Sequence, residues 1–207
     1  MTVSLTTGIV LGLSAGFAPG PLLALVVSQT LEHDVKEGVK VALAPLVTDL
    51  PIILLALFLS TKLSGFRTGL GVVSVCGGLF VSYLAYENLR THRPGVDLRE
   101  TEPRALRRGV LANFLSPHPY LFWLGVGVPI MAGAWEESGF AAAAFVGGFY
   151  LCLVGSKVIL ALIVGRSRGF LTGRTYAYAM RVLGALLLIF ALMLFVDGAK
   201  LLGLLDP

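Results

Sequence analysis

Charge is what this chain has least of. Asp, Glu, Lys and Arg together make up 14% of its 207 residues and apolar residues 56%, where soluble domains carry about 25% and 45–50%. That balance excludes an ordinary soluble domain. Cysteine is nearly absent too: Cys76 and Cys152 each stand alone in an apolar stretch, with no Cys-x-x-Cys and no metal-type Cys/His spacing. Thiol redox work and cysteine-bound metals are therefore not indicated, and both residues read as small buried apolar groups. No His-Glu-x-x-His, Walker or nucleophile-elbow pattern occurs, so no enzyme activity and no cofactor are expected. The ten-residue alternating segments of a membrane β-barrel are missing as well. A basic excess of +4 remains, but its residues sit in a few loops without an aromatic-studded groove, which argues against nucleic acid as a partner. Met1 to Leu5 lack the basic start of a signal peptide, so the first apolar segment is expected to stay in place as a helix.

What is present is a series of nearly charge-free runs, each about 20 residues long and so able to cross the hydrocarbon core. They run from about Leu5 to Gln29, Val39 to Ser60, Thr68 to Tyr86, Gly109 to Ala134, Gly139 to Val164 and Tyr178 to Val196. Their length favours helix over strand. The expectation is a single all-α membrane domain over residues 1–207 with six transmembrane helices. The 25 glycines suit close helix approach in lipid.

Orientation follows from the bases. Lys36 and Lys40, Arg90, Arg93, Arg99, Arg104, Arg107 and Arg108, then Arg166, Arg168, Arg174 and Arg181 fall on one side, twelve in all, against Lys62, Arg67 and Lys200 on the other. Positive residues gather on the cytoplasmic face, so both termini are expected outside the cytoplasm. The one long polar loop, Asn88 to Arg108, carries Pro94 and Pro103 and reads as a cytoplasmic linker between residues 1–87 and 109–207.

Those two stretches share a motif. Ala18-Pro19-Gly20-Pro21-Leu22-Leu23 in the first run is echoed by Ser116-Pro117-His118-Pro119-Tyr120-Leu121 in the fourth. Each opens a set of three runs, and an odd number of runs per set forces the two sets to face opposite ways. Two inverted three-helix repeats are the plan of many secondary transporters. Proline removes a backbone donor and clashes with the preceding turn, so paired prolines should interrupt each helix. Backbone freed at that depth is tolerated where it lines a cavity or finds protein partners.

At a rise of about 1.5 Å per residue, Pro21, Pro117 and Lys157 lie roughly 12 Å, and Asp49 roughly 15 Å, from the cytoplasmic face. Two helix breaks, an acid, a base and His118 thus gather in one mid-membrane layer, and intramembrane ionisable groups mark function by default. Asp49 can exchange a proton, hold a substrate amine or pair with Lys157. Lys157 can hold a substrate carboxylate, neutralise Asp49 or snorkel to the interface. Asn113 and Ser116 can cap the helix end freed at the second break. His118 can carry a proton or, together with Asp49, be a metal ligand, although two ligands alone are too few. Tyr120, Phe122, Trp123 and Tyr150 can wall a pocket.

These residues carry a resemblance to the lysine-exporter (LysE/RhtB-type) family of bacterial amino-acid exporters. Gly12-Leu13-Ser14-Ala15-Gly16-Phe17-Ala18-Pro19-Gly20-Pro21 is similar to that family's Gly-rich run ending in Pro-Gly-Pro. Gly109-Val110-Leu111-Ala112-Asn113-Phe114-Leu115-Ser116-Pro117-His118 is similar to its Gly-x-x-x-Asn-x-x-Asn-Pro-Lys signature, and Asp49 stands where the family commonly has an acid. Ser116 replaces the usual Asn and His118 the usual Lys. The resemblance implies ion-gradient-driven export of amino acids or similar small solutes without ATP, in a bacterial inner membrane and often from a homodimer. The expected solute site comprises Pro19, Gly20, Pro21, Asp49, Asn113, Ser116, Pro117, His118 and Lys157, with Asp49 as the proton-coupling group. An inorganic-cation exporter on the same architecture is the alternative.

Overall fold

A computed structural model describes residues 2–59, 66–90, 104–167 and 174–204, and no strand occurs among them. Lys62, Arg168 and the linker residues Arg93, Pro94, Arg99 and Pro103 lie outside the described residues. The first apolar run is two helices, α1 (Thr2–Phe17) and α2 (Pro21–Glu32), set at 62° to one another. The second comprises α3 (Val35–Ala42) and α4 (Ala44–Leu59), the third is α5 (Phe66–Arg90). The fourth is the most divided: α6 (Ala105–Phe114), α7 (Pro117–Phe122), a π turn (Trp123–Gly127) and α8 (Val128–Glu137). The last two are α9 (Gly139–Ser167) and α10 (Arg174–Leu201).

By length and apolarity Val35–Leu57, Gly71–Arg90, Gly139–Ser167 and Ala177–Leu201 can each cross a membrane, and the bent α1–α2 pair, counted as one span, brings the number to five among the described residues. The protein is thus an all-α membrane protein. Large apolar side chains such as Leu50, Leu151, Ile163 and Leu192 cover its outside, a surface that lipid satisfies and water would not. Several helices outrun their charge-free runs. α9 continues to Ser167 and α10 starts at Arg174; at the end of α9 the exposed Arg166 can reach the interface while its stem stays apolar.

The π turn has a local cause. Pro129 lacks an N–H and its ring crowds the carbonyl four residues back. The ladder is relieved by an i→i−5 bond from Val128 N–H to the Trp123 carbonyl, the usual form of a π insertion within a helix.

Small residues set the helix spacing. Ser4, Gly8, Gly12 and Gly16 line the buried face of α1. A Cβ at Gly8 or Gly12 would collide with the carbonyls of Phe145 and Phe149 on α9, and one at Gly16 with the Ser156 hydroxyl. Such backbone-to-backbone approach is how helices associate where apolar burial gives no advantage over lipid. α5 and α10 are packed likewise, Gly184 against the Ala85 carbonyl, with the Ser74 hydroxyl donating to the Leu194 carbonyl at 2.7 Å.

Two apolar clusters result. One is small and aliphatic, with Ala24, Val26, Val41, Ala85, Ala112 and Ala161 at its centre. The other is aromatic, built on Tyr120, Trp123, Phe145 and Phe149 with Ile52 and Val128.

Candidate solute site at two helix breaks

A cavity of about 250 Å³ opens beside the two interrupted helices, lined from α1, α2, α4, α6, α7, α9 and α10. Its polar wall is Asp49, Asn113, Ser116, His118 and Lys157, and Pro19, Gly20 and Pro21 form one rim. Of the expected site residues only Pro117 is not on the wall. It is buried as the first residue of α7, behind the lining.

At the first break α1 stops at Phe17 and α2 starts at Pro21. The prolines do not interrupt a helix from within. Pro21 and Pro117 each begin the second half-helix, at the position where a missing N–H removes nothing that the helix needs. Gly20 is fully extended, at φ −179° and ψ 175°, a conformation open to any residue. A Cβ there would meet nothing within 4 Å, so glycine at this point keeps space open rather than relieving strain. The Leu22 and Leu23 amides, in the first turn of α2, have no intrahelical acceptor, and both residues line the cavity.

The carbonyls released at the end of α1 find their donor on α9. Lys157 Nζ donates to the Gly16 carbonyl at 2.9 Å and to the Ala15 carbonyl at 3.3 Å. Only 3% of Lys157 is exposed, so it does not snorkel. A cation at a helix C-terminus also complements the negative end of the helix dipole.

The second break is satisfied locally. The Ser116 hydroxyl accepts from the His118 N–H at 3.4 Å and lies 3.2 Å from His118 Nδ1. The Tyr120 hydroxyl donates to the Phe114 carbonyl at 2.9 Å. Asn113, expected as a helix cap, instead points across to α4. Its Nδ2 donates to Thr48 Oγ1 at 2.6 Å and to Asp49 Oδ1 at 3.0 Å.

Asp49 faces inward, 4% exposed, while its neighbour Leu50 is 62% exposed toward lipid. Neutral donors surround its carboxylate. Thr48 Oγ1 lies 3.3 Å from Oδ1, and Trp123 Nε1 and Tyr150 OH donate to Oδ2 at 3.4 and 3.2 Å. A direct Asp49–Lys157 pair, one of the alternatives open to these residues, is not what forms. Among the described residues the ion pairs are Glu37–Lys40 and Glu87–Arg108, while Asp49 and Lys157 face one cavity and hold different partners. Helix ends and hydroxyl, amide and indole donors outcompeted the direct pair because each must be satisfied at this depth. No group of three or more His, Cys, Asp or Glu side chains is placed to hold a metal among the described residues.

The sequence pointed to Trp123 and Tyr150 only as wall residues. Their bonds to Asp49 were not foreseen, although a buried indole N–H and phenol O–H both need partners. Phe149, Leu153, Phe190 and Met193, also on the wall, carry no sequence signal that separates them from lipid-facing residues.

Fold and cavity together define a multi-pass helical membrane protein with a polar site in its interior. The model of the LysE type translocator family matches residues 13–198, and the chain belongs to that family. No curated protein and no solved structure matches it. Membership makes it a membrane protein of a family of small-solute exporters rather than of enzymes.

Proposed function

We propose that the protein is a secondary active exporter of amino acids or similar small solutes, coupled to an ion gradient, with the solute held in the cavity between the two helix breaks. One observation carries this reading: a buried base and a buried acid face the same small cavity, beside backbone opened at two places. A zwitterion fits that wall. Its carboxylate is served by Lys157 and the amides that open α2, its ammonium by Asp49, and its side chain by the surrounding apolar residues. Asp49 also serves as the proton-exchanging group.

The chain is read as six spans, the fourth being α6 to α8, arranged as two inverted repeats. The packing supports that pattern. Exchanging spans one and four, two and five, and three and six turns the α1–α9 contact into the α6–α4 contact and α2–α3 into α8–α9, and returns α5–α10 to itself. The breaks fall at matching places, and rocking of one repeat against the other would expose the cavity to each side in turn. The base-rich loops lie in the cytoplasm of a bacterial cell and both termini outside.

The test is solute-dependent stabilisation of the purified protein against a set of amino acids and metal salts, followed by transport of any hit in proteoliposomes. Binding to the folded state raises its melting temperature by mass action. Asp49→Asn is expected to lower transport of the hit at least about a hundredfold, the loss of a group acting in every cycle, while remaining folded. Undiminished transport by that variant removes Asp49 from the mechanism. Stabilisation by metals alone replaces this reading with export of an inorganic cation.

A further inference from the structure

We propose that Asp49 is the latch of an aromatic gate closing the cavity toward the face that carries the N-terminus, and that Trp123 and Tyr150 are its gating residues. The inference rests on the exporter reading and adds which residues couple the site to one side of the membrane.

The gate is located by following four of the cavity's walls in one direction. On α9, Lys157, Leu153 and Phe149 line the cavity at one-turn spacing, and the next turn, Phe145, lies beyond it. On α1 the lining residue is Ala15, and Leu11, one turn nearer the N-terminus, packs into the aromatic cluster. On α4 Pro45 and Asp49 line the cavity, followed by Ile52 and Ala56 in the same cluster. In span four the last lining residue is Trp123, and Val128 follows in the cluster. All four walls converge on one plug of rings. Phe122 stacks on Phe149 at 5.0 Å, Trp123 meets Phe149 edge-on at 5.5 Å, and Trp123 stacks on Tyr150 at 6.2 Å.

One carboxylate oxygen ties two pieces of that plug together. Trp123 Nε1 from the π turn and Tyr150 OH from α9 both donate to Oδ2 of Asp49. Oδ1 is held from the other direction by Asn113 and Thr48. Asp49 thus joins the solute cavity, the second break and the plug. At the other end of the cavity, among the described residues, Lys157 bonds to α1 carbonyls and the neighbouring core is largely aliphatic. The indole also sits at an irregular stretch of backbone. Trp123 opens the π turn, and a Cβ on Gly127 would collide with its ring. Single π insertions of this kind are frequent at functional sites.

The charged and titratable groups around Asp49 are few: Lys157 and His118 on the same wall, and the phenols of Tyr120 and Tyr150. An ionised, empty Asp49 is a charge-assisted acceptor that holds both rings. Neutralising it, by a proton or by a solute ammonium, weakens both bonds together and releases the plug. The gate then opens only when the latch is occupied, which prevents an open pore between cycles.

The test uses a cysteine-free chain (Cys76→Ala, Cys152→Ala) carrying Leu153→Cys as a reporter just inside the plug, labelled by a membrane-impermeant maleimide applied to either face. Trp123→Phe and Tyr150→Phe keep the rings and remove one donor each. Each is expected to raise the labelling rate from the N-terminal face roughly three- to tenfold, the population shift that loss of one hydrogen bond to a carboxylate can give. Asp49→Asn should do the same. Asp49→Asn combined with Trp123→Phe should fall short of the product of the two, because both act on one contact. Unchanged rates in both Phe variants, a rise confined to the opposite face, or fully multiplicative effects would each overturn the proposal. Melting curves show that the variants are folded, and Tyr150→Phe carries the test if Trp123→Phe is not. Intact solute transport with an unresponsive reporter sinks the gate alone. A responsive reporter in a protein that transports no solute sinks the exporter reading instead.

Discussion

The two helix breaks look alike in sequence and are satisfied by opposite means. At the first, the linker Ala18-Pro19-Gly20 has no polar side chain, and the α1 carbonyls take their donor from Lys157 on α9. At the second, Ser116 and Tyr120 serve the neighbouring backbone locally, and Asn113 turns outward to Thr48 and Asp49. Away from water, opened backbone needs partners either way. A local hydroxyl makes a break self-sufficient. A remote ammonium makes it depend on where another helix stands. The arrangement is also crossed: Lys157 from the second half of the chain serves the break in the first, and Asp49 from the first half anchors the break in the second. Neither half can shift far without disturbing the other's opened helix.

Substitutions can break or sharpen that contrast. The largest stability effect is expected for Lys157→Met, which leaves the Ala15 and Gly16 carbonyls without their donor. We expect a loss of about 2–3 kcal/mol, read as a lower melting temperature in detergent, together with loss of transport. Ser116→Ala should cost only about 1 kcal/mol, the usual value of a helix N-cap. Equal melting shifts in these two variants would erase the distinction between remote and local satisfaction. Gly20→Leu comes next. The extended backbone accepts it and a Cβ has free space, so stability should change by less than about 0.5 kcal/mol. The added side chain occupies the cavity, however, and solute-dependent stabilisation should disappear. A large melting shift instead would mean that Gly20 is needed by the fold rather than by the solute. His118→Gln should be the mildest, within about 0.5 kcal/mol, because an amide can replace the contact to Ser116. A clear fall in its melting temperature would mean that the second break depends on the imidazole itself rather than on a polar contact to Ser116.

Much of this was legible from the residues. Both breaks were, because proline acts through its own ring and missing N–H. The gathering of Asp49 and Lys157 beside the breaks was, because helical rise converts sequence distance into position along the bundle. Whether those two charges pair directly was not, because the carbonyls of α1 and the donors of Asn113, Trp123 and Tyr150 compete for the same atoms. Trp123 and Tyr150 could not be assigned beforehand, because their reach to Asp49 depends on the rotation of α9 and on the π turn that Pro129 induces.

The sequence by itself determined the solvent, the helices and the two interruptions, since transfer energies and proline geometry are properties of single residues and short runs. Only the tertiary structure decided which opened backbone meets which side chain, and that both charges turn into one cavity. Those choices depend on how closely α1 and α9 approach across Gly8, Gly12 and Gly16, and on which donors then lie within reach of one carboxylate.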